Sequence, residues 1–221
     1  MKNSILLLCL ILITACGTSS KTAKNKRPPK REVAVAFNVK TANNSELNFI
    51  NMDYYRLQIL DKLEDFQTVN FVLAEPDENP EITINLNIDN FVLWPRNEQV
   101  SRRVLTRVVQ TGTDAAGKPI YQTVRASVDI FQVERRSNAR MVVDMRIQGT
   151  PPKTFKQSFF PRYNYKNVYV DNIQGDSRAV DPSLYFSRNQ GMEPDAMDFL
   201  FQLSGEMVDR VSHELRSYYR K

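Results

Sequence analysis

The chain has 221 residues, 42% of them hydrophobic and 25% charged, with a mean hydropathy of -0.44, 2 Cys and 1 His. These values describe one ordinary soluble domain and exclude a helical membrane bundle, a coiled coil and a wholly disordered chain. A single histidine cannot assemble a zinc site of the His-rich or Cys/His type, and Ser-His-Asp chemistry would have to run through His213 alone.

Residues 1–16 read MKNSILLLCLILITAC: Lys2, an apolar run from Ile5 to Ile13, then Thr14, Ala15 and Cys16. The run is 9 residues long, well short of the roughly 20 that cross a bilayer as a helix, so residues 1–15 read as a signal peptide. Ile13, Thr14, Ala15 and Cys16 stand in the order of a lipobox, and the segment resembles a bacterial lipoprotein precursor. That resemblance implies lipidation of Cys16, cleavage before it and an acyl anchor far stronger than a single myristoyl chain. Gly17, where Asp favours retention in the inner membrane, implies the outer membrane, with the domain facing the periplasm. Cleavage would also remove Cys9, leaving a mature chain with no free thiol and no disulfide of its own.

Residues 16–32 form the expected tether. From Gly17 to Glu32 the sequence GTSSKTAKNKRPPKRE has no aromatic and no aliphatic side chain larger than alanine, so it has nothing to bury and is expected to stay solvated. Seven of the chain's 30 Lys and Arg lie before position 33, leaving 23 against 24 Asp and Glu in residues 33–221. The basic pI of 9.2 therefore belongs to the tether and does not signal a nucleic-acid partner. Because acylation already holds the chain, the basic run reads as a solvated spacer rather than a patch for anionic headgroups.

Residues 33–221 are expected to form a single α+β domain, a mainly antiparallel sheet packed against an early helix and a long C-terminal helix. VAVAFNV at 33–39 has the alternation of a strand. Asn44 and Ser45 are placed to cap a helix from near Glu46 to Asp65, with Leu47, Ile50, Leu57, Leu60 and Leu63 on one stripe. A second strand is expected over 68–73. Between Glu81 and Val92, Ile82, Ile84, Leu86 and Ile88 alternate with Thr83, Asn85, Asn87 and Asp89, which predicts a sheet covered on one face. Trp94-Pro95 stops it. Strands over 100–110 and 120–133 flank Thr113-Asp114-Ala115-Ala116-Gly117-Lys118-Pro119, a stretch rich in turn formers, and read as a hairpin. A further pair is expected over 128–134 and 141–147 around a turn at 136–139, with one more strand over 155–160. Residues 161–191 carry no usable period, apart from a tight turn at Gly175-Asp176-Ser177-Arg178 with a local ion pair. A helix over 193–218 closes the chain, with Pro194 in its first turn and Met197, Leu200, Ser204, Val208, Val211 and Leu215 on one stripe.

This order of elements resembles the periplasmic lipoprotein domains related to the curli secretion lipoprotein, the penicillin-binding-protein activator of the LpoB type and the amino-terminal domain of TolB. VAVAF at 33–37, LQILDKLEDF at 57–66 running into TVNFVLAEP, ITINLNI and the closing helix carry the likeness, which implies the fold and a partner-binding role. One type in that group builds a membrane barrel from amphipathic hairpins. Here Arg102 lies on one face of its strand and Arg103 and Arg107 on the other, so neither face meets lipid at modest cost.

No catalytic, metal or cofactor set is expected. His213 reads as an exposed helix histidine, and Asp171, Asp176 and Asp181 as solvated loop acids without calcium-loop spacing. Aromatic density is the one unusual signal: 8 of the 22 aromatics fall in residues 155–186, 25% locally against 10% overall. Tyr163, Tyr165 and Tyr169, with Arg162, are the expected partner-binding residues, since aromatic and Arg side chains dominate binding hot spots. The competing reading is that these rings pin a long loop to the sheet and the last helix. The function expected is a membrane-tethered, non-enzymatic adaptor or assembly factor that binds another envelope protein. The alternative is a lipoprotein that binds a small ligand, lipid or peptidoglycan.

Overall fold

The computed structural model describes residues 30–41, 47–189 and 193–220. Nearly the whole tether, the lipobox and the expected cap at Asn44 and Ser45 lie outside the described residues. Strand β1 (Arg31–Thr41) begins two residues before the expected start and takes Arg31 and Glu32 from the tether. Helix α1 (Met52–Glu64) follows a single helical turn at Leu47–Phe49 and returns the chain to β2 (Val69–Leu73), parallel to β1. Helix α1 starts later than its pattern suggested. Its cap is Asn51, whose side chain accepts from the Tyr54 amide at 3.0 Å. Its inward stripe is Tyr55, Ile59 and Leu63, at the i, i+4, i+8 spacing of one helix face, while Leu57 points to solvent.

The alternating segment forms β3 (Ile82–Leu93), parallel to β1, with Ile82, Ile84, Leu86 and Ile88 all buried. Beyond it, β4 (Asn97–Thr113) turns at 114–118 into β5 (Pro119–Ile147). Asp114 organises that turn by accepting from the amides of Ala116 and Lys118, and Gly117 supplies the positive φ of 78° that the reversal requires.

The expected turn at 136–139 does not exist. Residues 119–147 are one 29-residue strand. Arg136, Ser137, Asn138 and Ala139 have the composition of a loop, but Ser137 and Ala139 are buried and continue the alternation of Met141, Val143, Met145 and Ile147. The residues expected to be irregular after Pro161 are also ordered. They form β7 (Arg162–Gly175), preceded by β6 (Lys153–Phe159) and followed by a short helical turn at Ser177–Ala179 and helix α2 (Pro182–Asn189). Period two was present there, but tyrosine served as the inward residue. The tight turn after β7 forms as anticipated, with Gly175 at φ 111° and an Asp176–Arg178 ion pair at 2.6 Å.

Strand β5 is the spine. Its C-terminal part lies between β3 and β6, and its N-terminal part between β4 and β7, all antiparallel. The result is a lower sheet in the order β2-β1-β3-β5-β6, and an upper sheet β4-β5-β7 continuous with it. The two parts bury opposite faces of the same strand. Below, Met141, Val143, Met145 and Ile147 lie under α1 and helix α3 (Ala196–Tyr219). Above, Val124, Ala126 and Val128 pack on Val170, Ala179 and Val180, with Leu184 and Tyr185 beside them.

Helix α3 is capped by Asp195, which exchanges hydrogen bonds with Asp198 in a capping box, so Pro194 precedes the cap rather than occupying the first turn. Its stripe, from Phe199 and Leu200 to Leu215, is buried. One polar pair sits inside this apolar contact. Ser204 Oγ donates to the Leu200 carbonyl at 2.7 Å, so its proton is committed, and the Tyr55 hydroxyl 2.6 Å away must donate to Ser204. Burial pushes the Tyr55 phenol above its ordinary range, keeping it a neutral donor.

This direction of donation sets an order of mutational cost. Ser204→Ala leaves the Tyr55 hydroxyl buried without an acceptor and should cost about 1–3 kcal/mol. Tyr55→Phe removes the donor and leaves Ser204 bonded to Leu200, for about 0.5–1.5 kcal/mol. Urea unfolding of the two variants and the double mutant checks it, with the double mutant expected to be more stable than Ser204→Ala alone.

Candidate functional site

The strands flanking β5 change over at Trp94-Pro95-Arg96 between β3 and β4, opposite Arg135 and Arg136, and four residues further along at Phe160-Pro161 between β6 and β7, opposite Ala139 and Arg140. Proline has no N–H to give a ladder, so each partner pauses there while β5 runs through. The two joints differ in register. Across β6 and β7, Met141 pairs with Phe159 and Asn138 with Arg162, so no residue is gained or lost. Across β3 and β4, Leu93 pairs with Ser137 but Asn97 pairs with Glu134, so three residues on one side span two on the other. That extra residue is a bulge. It falls at Pro95-Arg96, beyond Trp94, which keeps the β3 register and whose amide donates to the Arg136 carbonyl at 3.0 Å.

Between the joints lies a cleft of about 800 Å³, walled by Trp94, Pro95 and Asn97 on one side and by Arg162, Tyr163 and Asn164 on the other. Its floor is the cross-strand set Glu134, Arg136, Ser137 and Asn138 of β5. Glu134 accepts from Asn164 Nδ2 at 2.8 Å and from Arg136 Nε at 3.0 Å, and these bonds, the Asn164 amide first, hold its carboxyl below the usual range. Trp94 is 43% exposed. Arg162 is exposed and has no ion-pair partner among the described residues. Ser137 is 2% exposed, and its Oγ has no hydrogen-bond partner there either. The cleft thus offers an indole face, a cation, amide groups and a fixed carboxylate.

The expected partner-binding residues are divided by the pleat of β7. Tyr163, Tyr165 and Tyr169 are at odd positions and turn toward the helix side, while Arg162 turns the other way. Tyr163 meets Phe199 of α3 edge-on at 5.5 Å, and Tyr169 stacks flat on Phe131 at 4.9 Å. Tyr165 packs against the lower core and helps line a smaller hollow of about 240 Å³ with Arg96, Phe131 and Tyr169. Above that hollow, Glu193 bridges Arg96 at 3.2 Å and Arg135 at 3.1 Å, tying the chain before α3 to the bulge. Arg162 and Tyr163 therefore join the cleft, while Tyr165 and Tyr169 do not. Trp94, Asn97, Arg136 and Asn138 complete it. Their sequence signal is the chain's one tryptophan beside a proline, a pair that on its own predicts only a strand stop.

His213 is 65% exposed at its side chain, with Nδ1 3.9 Å from Glu214 on its own helix. Asp176 is taken up by Arg178, and Asp181 accepts from the Ser183 amide. No group of three or more His, Cys, Asp or Glu placed to hold a metal ion occurs among the described residues, and no described helix is long and apolar enough to cross a membrane.

No family model matches the chain, and no curated protein matches it. Among solved structures it is similar to a chain from Helicobacter pylori, provisionally assigned as a neuraminyllactose-binding hemagglutinin homolog. The identity is 12% and the TM-score 0.32, over 89% of this chain and 94% of that one.

Trp94 is the chain's single tryptophan, so its fluorescence reports on the cleft alone. The Glu134 carboxyl is depressed in the fold, so its stabilisation is complete above an unfolded value of about 4.3 and is lost as pH falls through the lower folded value. Emission should stay flat from neutral pH down to about 4.5 and change only below it. Glu134→Gln should flatten that acid limb, and a transition centred above the ordinary glutamate range would contradict the assignment.

Proposed function

We propose that the protein is a bacterial envelope lipoprotein, acylated at Cys16 and held to the outer membrane with its domain on the periplasmic side. In this reading it acts as a non-enzymatic adaptor or assembly factor that binds another envelope protein. The supporting observation is the cleft at the β3–β4 bulge. A half-exposed Trp94 and an Arg162 with no ion-pair partner among the described residues converge there over a β5 floor, the residue types that carry most binding energy at interfaces. The sheet fixes the backbone of both residues before any partner arrives, which lowers the ordering cost of association.

The same cleft supports a second reading, a small-ligand or peptidoglycan-binding lipoprotein. An indole face beside Asn97, Asn138 and Asn164 suits a sugar ring, with apolar stacking on one side and amide hydrogen bonds at the rim.

Photocross-linking from position 97, followed by mass spectrometry of captured envelope proteins, separates the two. The adaptor reading expects one stoichiometric protein adduct, and expects Trp94→Ala or Arg162→Ala to reduce it roughly tenfold at unchanged circular dichroism. Co-sedimentation with isolated sacculi, lost in the same variants and without a protein adduct, favours the second reading. Cys16→Ser should move the chain from the membrane to the soluble fraction, and retention there would count against the lipid anchor.

A further inference from the structure

We propose that the outer edge of β4 pairs antiparallel with the same edge of a second copy of this chain, about a two-fold axis at Val104. Strand β4 pairs only with β5, so its other edge, over 17 residues, has no strand beside it among the described residues. Free edges of this length template pairing unless something blocks them. The side chains along it are unusual for a solvated edge. Val100, Val104 and Val108 are 54%, 68% and 63% exposed, all on the face of the upper sheet that the Ala179–Tyr185 segment leaves open. Leu105 and Val109, on the opposite face, are already packed in the upper core.

The occupant follows from the spacing. In a continuous sheet related by a two-fold, a residue faces one of equal parity on the partner, so the axis falls on a residue. Axes on Arg102 or Arg103 set that arginine against its own copy, and an axis on Leu105 sets Arg103 against Arg107. An axis on Val104 opposes Arg102 to Thr106, Arg103 to Leu105 and Arg107 to Ser101, with no like charges facing. It also aligns Val100 with Val108 on each side of a central Val104 pair. An axis on Thr106 avoids the arginine clash as well, but leaves Val100 against Gly112, beyond the bulge after Gln110. The Val104 register is the one that pairs all three valines.

The remaining charge on that face is already compensated. Arg102 makes a bidentate contact with Asp129, at 2.8 and 3.0 Å, and Asp129 also accepts from Asn172 of β7 at 2.8 Å. Pairing therefore brings valines and a neutralised arginine together, and the arrangement is complementary to itself. The partner of this edge is a second copy, independent of what occupies the cleft.

The test uses the full chain in detergent, followed by sedimentation velocity at micromolar concentration. The wild type should sediment as a dimer. Val104→Glu and Val104→Lys each place like charges on the axis and should weaken association roughly tenfold or more. An equimolar mixture of the two should restore a heterodimer. Circular dichroism verifies folding of each variant. Val100→Lys combined with Val108→Glu in one chain gives a second route, since each Lys would face the partner's Glu and dimerisation should survive. A monomeric wild type, dimers indifferent to charge at position 104, or a mixture that stays monomeric would each overturn the proposal. Capture of a different protein at this edge by a monomeric wild type would assign it to another occupant.

Discussion

The backbone ladder of β5 has to continue past Ser137 for any of the rest to exist. Four strands hang on it, two along each edge, and each edge changes strand at the level where β5 does not break. A turn at 136–139 would have given two separate hairpins with a loop between them. Continuity instead joins the two sheets through one shared strand, and the cleft lies over the stretch of β5 where the flanking strands change. The register decides what that cleft presents. One side passes its proline without slipping, the other gains a residue just past Trp94, and the pairing sets Trp94 and Arg162 on the same face of β5, one along each edge of the floor.

The seam also separates two cores on opposite faces of one strand. Below it, helices α1 and α3 cover the odd-numbered side of β5. Above it, the chain after β7 folds over the even-numbered side and leaves the odd side bare except near α3. Two polar contacts hold this arrangement together where apolar packing changes sides. Asp129 joins β4, β5 and β7 through Arg102 and Asn172, and Glu193 joins the segment before α3 to the bulge through Arg96 and Arg135. Both are multi-partner contacts, which give a long twisted ribbon fixed geometry where it has little core beneath it. The uncovered face and the free edge of β4 are consequences of the same change of side.

Legibility in the sequence tracked the contrast between the two faces of each element. Ile82 to Ile88 alternate with Thr, Asn and Asp, so β3 could be read directly, and so could the stripe of α3. Residues 162–175 alternate too, but their inward members are tyrosines and Asn167, which are amphipathic, so the segment looked irregular. At 136–139 a buried serine and alanine stood where large apolar residues were expected, and polar neighbours suggested a turn that the ladder overrides. Within the site, Arg162 and Tyr163 are singled out by local aromatic density. Trp94 is not, because its place opposite Arg162 depends on β3 and β7 pairing along opposite edges of β5, which leaves no mark in either strand alone.

The α+β class, the early and closing helices, the hairpin around 113–119 and the turn at Gly175 to Arg178 follow from sequence alone, because each rests on periodicity or local side-chain to backbone bonding within a few residues. Tertiary structure decided that β5 is one strand, that its two halves bury opposite faces, and that Trp94 and Arg162 face each other. These depend on pairing between residues tens of positions apart. The same alternating pattern fits either face of a sheet until the packing of distant segments chooses one.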